Sequence, residues 1–136
     1  MLSNTDLHKL GMFISSKKHT PWVRGENDCC TIGMEWHDLR FGTNTVDQIK
    51  GKYSDLKGAI RVAKKIPLDK WFIDNGYTQI LDENVIDGDI VMVRHNRFFF
   101  SAYIVLMGTA YGIQDEANGM SRHPLETIYE HTIWRI

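Results

Sequence analysis

Residues 89–114 read DIVMVRHNRFFFSAYIVLMGTAYGIQ, from Asp89 to Gln114. Asp89–Val93 and Phe98–Met107 are runs of β-branched, aromatic and other apolar side chains, the composition of buried strands. Arg94–Arg97 (RHNR) is the polar break between them and reads as a turn. Gly108-Thr109 is the next break and turns the chain into Ala110–Gln114. Strands joined by such short connections lie antiparallel, since parallel neighbours need a long crossover. Downstream, Asn118-Gly119 is a further turn and His131–Ile136 (HTIWRI) reads as a last strand closing the sheet. Upstream, Asp87-Gly88 is a turn and Tyr77–Leu81 a strand.

Before Gly76 the apolar period changes from two to that of a helix. Ser3 or Asn4 caps a first helix with Leu7, Leu10 and Ile14 on one face, ended by Thr20-Pro21. Pro21–Asn27 reads as a loop anchored by Trp22. A second helix starts at Asp28, with Cys29, Ile32, Gly33 and Trp36 on one stripe and Gly42 as its stop. A third follows Ser54 as cap, with Leu56, Ala59, Ile60 and Ala63 buried, and a fourth follows Pro67 with Leu68, Trp71 and Phe72. Helices first and an antiparallel meander second define an α+β class in one domain, residues 1–136.

The chain has 136 residues, 43% apolar and 24% charged, which supports a packed core and excludes disorder as the dominant state. Sixteen Lys and Arg against 17 Asp and Glu leave a net charge of −1, so nothing in the bulk charge points to nucleic acid. Its apolar runs fall short of the ~18 residues of a membrane span. Asp6 and His8 stand where a signal peptide places its apolar core, so nothing here directs export. The adjacent Cys29 and Cys30 make no disulfide framework, and the chain reads as made in a reducing cytosol with free thiols. Neither a metal nor a cofactor is indicated: Cys30 and His37 lack a companion C-x-x-C or H-x-x-x-H.

Cys29 carries the most chemical information. It follows Asp28 at the head of a helix, where backbone N–H groups and the helix dipole stabilise a thiolate. The same position also suits a small core residue, because free cysteine is among the most buried residue types. A cysteine nucleophile needs a base, usually histidine. His8, His19, His37, His123 and His131 read as surface or remote positions, and His95 falls in the Arg94–Arg97 turn, away from Cys29.

The order of features resembles the NlpC-type branch of the papain-like cysteine peptidases, above all the compact versions encoded among bacteriophage tail genes. The W-x-x-G-x-N-D-C pattern is carried by Trp22, Gly25, Asn27, Asp28 and Cys29. Gly51-x-Tyr53, Gly88-Asp89 and Ile133-Trp134-Arg135 follow in order, so the resemblance spans roughly residues 20–136, leaving the first helix, 1–19, outside it. It implies a nucleophile at Cys29, a histidine at the start of the long strand and a polar residue on the next strand. Aligned on Gly108, the third position is Gln114, while the histidine position falls on Ser101, or on Ala102 if the gap is placed differently. Neither is a base, and Tyr103 replaces an expected glycine.

The resemblance therefore implies a bacteriophage tail or virion protein with a degenerate papain-like fold, structural or assembly in role, with little or no hydrolysis. Its partners would be other tail proteins, with peptidoglycan as a further one and an oligomeric state set by tail symmetry. The alternative is a working peptidoglycan endopeptidase or amidase, with Cys29 attacking the amide, His95 as substitute base, Gln114 orienting it and the Cys29 N–H helping to hold the oxyanion. A third reading is a small binding module unrelated to this fold, using Phe98-Phe99-Phe100 as a partner-binding edge in place of a buried strand.

Overall fold

A computed structural model describes residues 2–82, 84–95, 100–128 and 131–136. Among these residues, four α-helices precede six strands: α1 Asn4–Lys17, α2 Thr31–Phe41, α3 Leu56–Lys65, α4 Leu68–Asp74, then β1 Thr78–Ile80, β2 Ile90–Arg94, β3 Phe100–Leu106, β4 Thr109–Gly112, β5 Ser121–His123 and β6 His131–Arg135. The α+β class is therefore as the sequence implies.

Local chemistry explains the helix ends. The Ser3 hydroxyl accepts the Asp6 N–H and caps α1. Gly42 adopts φ 68° and closes α2 in the left-handed conformation that glycine tolerates. The cap of α3 is Asp55, not Ser54: its carboxylate accepts the Gly58 N–H at 2.7 Å. That start sets the helix so that Gly58 and Ala59 face inward and Leu56 is exposed, against the expectation for Leu56. Helix α2 begins three residues later than expected, and Asp28, Cys29 and Cys30 form the turn leading into it.

The six strands form one antiparallel sheet in the order β1-β6-β2-β3-β4-β5. β2 to β5 are a meander, but β6 does not close the end of the sheet. It lies between β1 and β2, pairing Ile133 with Ile80 and with Val91. Pairing on both sides buries Ile133 and Trp134. β5 was not anticipated, and it puts His123 in a strand, opposite Ala110. Phe98 and Phe99, part of the expected long strand, lie outside the described residues; Phe100 is buried.

The main core lies between the helices and one face of the sheet. Leu10, Ile32, Trp36, Phe72, Ile90 and Ile104 are its fully enclosed members. Gly33 of α2 rests on Ala102 of β3, where an added Cβ would come within 3.2 Å of the Ala102 methyl. Val91, Val105, Ala110, Ile128 and Ile133 form a smaller cluster. Asp89 is buried and takes a two-pronged bond from Arg135, Nε to Oδ1 and Nη2 to Oδ2, each 2.8 Å. The Gly88-Asp89 and Trp134-Arg135 motifs are thus two halves of one ion pair joining β6 to the start of β2.

Candidate functional site

The site forms where the sheet opens. β4 pairs with β3 only from Ile104 to Leu106, so the first half of β3 has no β4 neighbour. The turn before α2 fills that edge: the Ala102 N–H donates to the Cys29 carbonyl at 2.8 Å. The Cys29 and Cys30 thiols both point to the Phe100 carbonyl, at 3.7 and 3.2 Å. Cys29 is thereby held across β3 from Phe100 to Ala102, with Ser101 between these two contact points.

Asp28 fixes this turn. Its Oδ1 accepts the Cys30 and Thr31 N–H groups at 2.9 and 3.0 Å, and its Oδ2 accepts the Gly25 N–H at 2.8 Å and the Tyr53 hydroxyl at 2.6 Å. The Asp28 N–H in turn donates to Thr31 Oγ1 at 2.9 Å. Two amide donors at the head of α2 are therefore taken by a buried carboxylate. Gly25 is required here because it has φ 83° and a Cβ would come within 1.9 Å of the Tyr53 carbonyl. Burial first, with the neighbouring Asp28 carboxylate adding to it, pushes the Tyr53 phenol far up, so it stays a donor. Asn27 is structural as well: its amide donates to the Thr20 and Pro21 carbonyls and its oxygen accepts from Lys17.

Cys29, His95, Ser101, Tyr103, Gln114, Arg24 and Asp115 line one open cleft of about 430 Å³. The distances bear on each expected residue differently. Ser101 is buried, and its hydroxyl is hydrogen-bonded to His95 Nε2 at 2.5 Å. His95 lies in the bend after β2 and reaches the cleft, although its turn position had suggested otherwise. Gln114 lies two residues beyond β4, exposed on the rim, and among the described residues its side chain has no hydrogen-bond partner. Asp28 braces the wall from behind and is not part of the lining. The Cys30 thiol is pushed well above its ordinary range, first by its hydrogen bond with Cys29 and then by burial.

Arg24 and Asp115 line the cleft without any sequence signal, and Tyr103, which stands where the resemblance expects a glycine, lines it as well. Tyr103 shares a face of β3 with Ser101, and strand alternation is the signal that identifies it. Its ring occupies the space that glycine leaves at position 112, where a Cβ would come within 2.4 Å of it, and it meets His123 edge-on at 5.3 Å. Burial is the main reason the Tyr103 phenol titrates high. Arg24 stacks on Trp22 at 5.0 Å and pairs with Asp115 at 3.6 Å, one wall of the cleft. Leu56, expected in the core, stands on the rim.

His37 differs most from expectation. It is buried, with Nδ1 2.9 Å from the Tyr77 hydroxyl and its ring among Phe41, Trp71 and Tyr77. Burial lowers its pKa. No group of three or more metal-ligating side chains occurs among the described residues. No helix there is long and apolar enough to cross a membrane.

Fold and cleft together define an α+β protein with a cysteine turn set against the free edge of an antiparallel sheet. A family model covering residues 5–136 matches the chain, which belongs to the DUF6950 family, a domain of unknown function. No curated protein and no solved structure matches it.

Proposed function

We propose that this chain is an NlpC-type, papain-like domain of a bacteriophage tail, with an assembly or docking role and little or no cysteine-based hydrolysis. The observation that carries the second half is the occupancy of the cleft. Ser101 stands where the resemblance calls for the base, and the His95 imidazole is bound to that hydroxyl. The Cys29 thiol instead faces a carbonyl, that of Phe100, which accepts a hydrogen bond but removes no proton. Loss of a general base costs roughly 10²–10⁴ in rate, and more where the members act as a unit. The tail assignment is supported by the ordered motifs from Trp22 to Arg135, whose Asp28 and Asp89–Arg135 contacts brace the cleft and the sheet.

Two measurements test it. Mass spectrometry of purified particles is expected to find the polypeptide, and its absence removes the tail role. Muropeptide release from peptidoglycan is expected to be equally low for the wild type and Cys29→Ala. Release by the wild type a hundredfold above the variant establishes the second reading, a working endopeptidase or amidase. One observation favours that reading: His95 lines the same cleft as Cys29.

A further inference from the structure

The cleft contains a hydroxyl–imidazole pair that does not involve sulfur. Ser101 Oγ and His95 Nε2 are hydrogen-bonded, and both line the open cleft with Tyr103 and Gln114. With the imidazole proton on Nδ1, Nε2 accepts the serine hydroxyl, the arrangement a serine nucleophile needs. Ser101 is fixed at the centre of the site by strand pairing: β2 is on one side through Val93, and the Cys29 carbonyl holds the next residue's N–H on the other. The cleft also offers hydrogen-bond donors. The Gln114 amide is exposed, and the Tyr103 phenol remains protonated.

We propose that Ser101 and His95 form a serine-type acyl-transfer dyad that takes carboxylic esters. In this reading Ser101 Oγ forms a bond to the ester carbonyl carbon as its proton passes to His95 Nε2. Collapse of the tetrahedral adduct breaks the carbon–oxygen bond of the leaving alcohol, which takes that proton from the imidazolium. Water, deprotonated by the same nitrogen, then attacks the acyl-serine; the acyl carbon–Oγ bond breaks, Ser101 Oγ takes the proton back from the imidazolium, and the acid is released. Esters suit the dyad better than amides, because an alkoxide leaves with less help from the acid than an amine does. The proposal goes beyond the assembly reading and does not depend on it, since it concerns the bond between Ser101 and His95 alone.

The test is labelling of the full chain with a fluorophosphonate, a serine-directed probe, followed by peptide mapping. The expected result is one adduct on Ser101, formed at least tenfold more slowly in His95→Ala and restored by added imidazole. His19→Ala, an exposed position after α1, is expected to label as the wild type does. Turnover of p-nitrophenyl acetate is expected to follow the same order. His95 lies in an exposed bend, so its variant is expected to keep the wild-type circular dichroism spectrum, which separates lost chemistry from lost fold. An unlabelled Ser101 in folded wild-type protein overturns the dyad, as does an adduct on Cys29 alone or a His95→Ala rate equal to the wild type. None of these results bears on whether the polypeptide is found in particles, so the two readings fail separately.

Discussion

Replacing Asp28 by asparagine tests whether this residue belongs to the architecture of the site or to its chemistry. The carboxylate is 3% exposed and accepts four hydrogen bonds, two on each oxygen. Asparagine retains one acceptor oxygen and puts an NH₂ in the other place. If the oxygen stays with Cys30 and Thr31, the NH₂ meets the Gly25 N–H, and only the Tyr53 hydroxyl can reverse and accept from it. One buried amide donor is left unpaired, at about 1–3 kcal/mol, and the other bonds lose the strength that a charged acceptor lends, about 1 kcal/mol more. The total is about 2–4 kcal/mol. At about 2.1 cal/mol/K per residue, 136 residues unfold with an entropy near 0.29 kcal/mol/K, so the midpoint falls by about 7–14 °C. Thermal melting followed by circular dichroism reads this directly. Tyr53→Phe removes a single bond and is expected to cost about half as much. An Asp28→Asn midpoint within 2 °C of the wild type refutes the bracing role.

Gly25→Ala is expected to abolish soluble expression or to cost more than about 3 kcal/mol by urea titration, since φ 83° and the Tyr53 carbonyl both oppose a side chain. Arg135→Leu leaves the Asp89 charge buried without its partner and is expected to cost about 3–5 kcal/mol. Asp89→Asn in the same chain is expected to recover part of that loss, and a double-mutant cycle without coupling would contradict the pairing. His37 and His123 have pKa values lowered by burial, so the unfolded chain takes up protons there before the folded one does. The stability they contribute is full above the unfolded value near ~6.5 and is lost as pH falls through it towards the folded values. The urea midpoint is therefore expected to drop between pH 7 and 5.5, and a His37→Gln, His123→Gln double variant to show a flatter profile over that window.

What the sequence made legible was local chemistry. The Ser3 cap, the Gly42 stop, the Asp87-Gly88 turn and the apolar runs of β2 and β3 each depend on neighbours within a few residues. The features it hid depend on partners far along the chain. Position 37 looks like a surface histidine until Tyr77, forty residues later, supplies a hydroxyl and an aromatic wall. Asp28 reads as the neighbour of a nucleophile, and its role as acceptor emerges only when Tyr53 and the glycine turn close over it. Leu56 followed the apolar period, but the choice of Asp55 over Ser54 as cap rotates it to the rim. In the cleft, the resemblance names Cys29, Ser101 and Gln114 together, and the three line one surface. It gave no route for His95, because the path of the chain beyond β2 is not a local property.

The position of β6 has a consequence for how the protein is made. A ribosome that has released everything up to residue 125 has produced β1 and β2 with their facing edges bare, and the residues that bridge them are still unmade. Until residue 135 emerges, Asp89 also lacks its guanidinium, leaving a carboxylate without its counter-charge at the seam. Cooperative closure of the sheet must therefore follow translation of that segment, and a polypeptide cut short before it presents two adhesive strand borders to its neighbours.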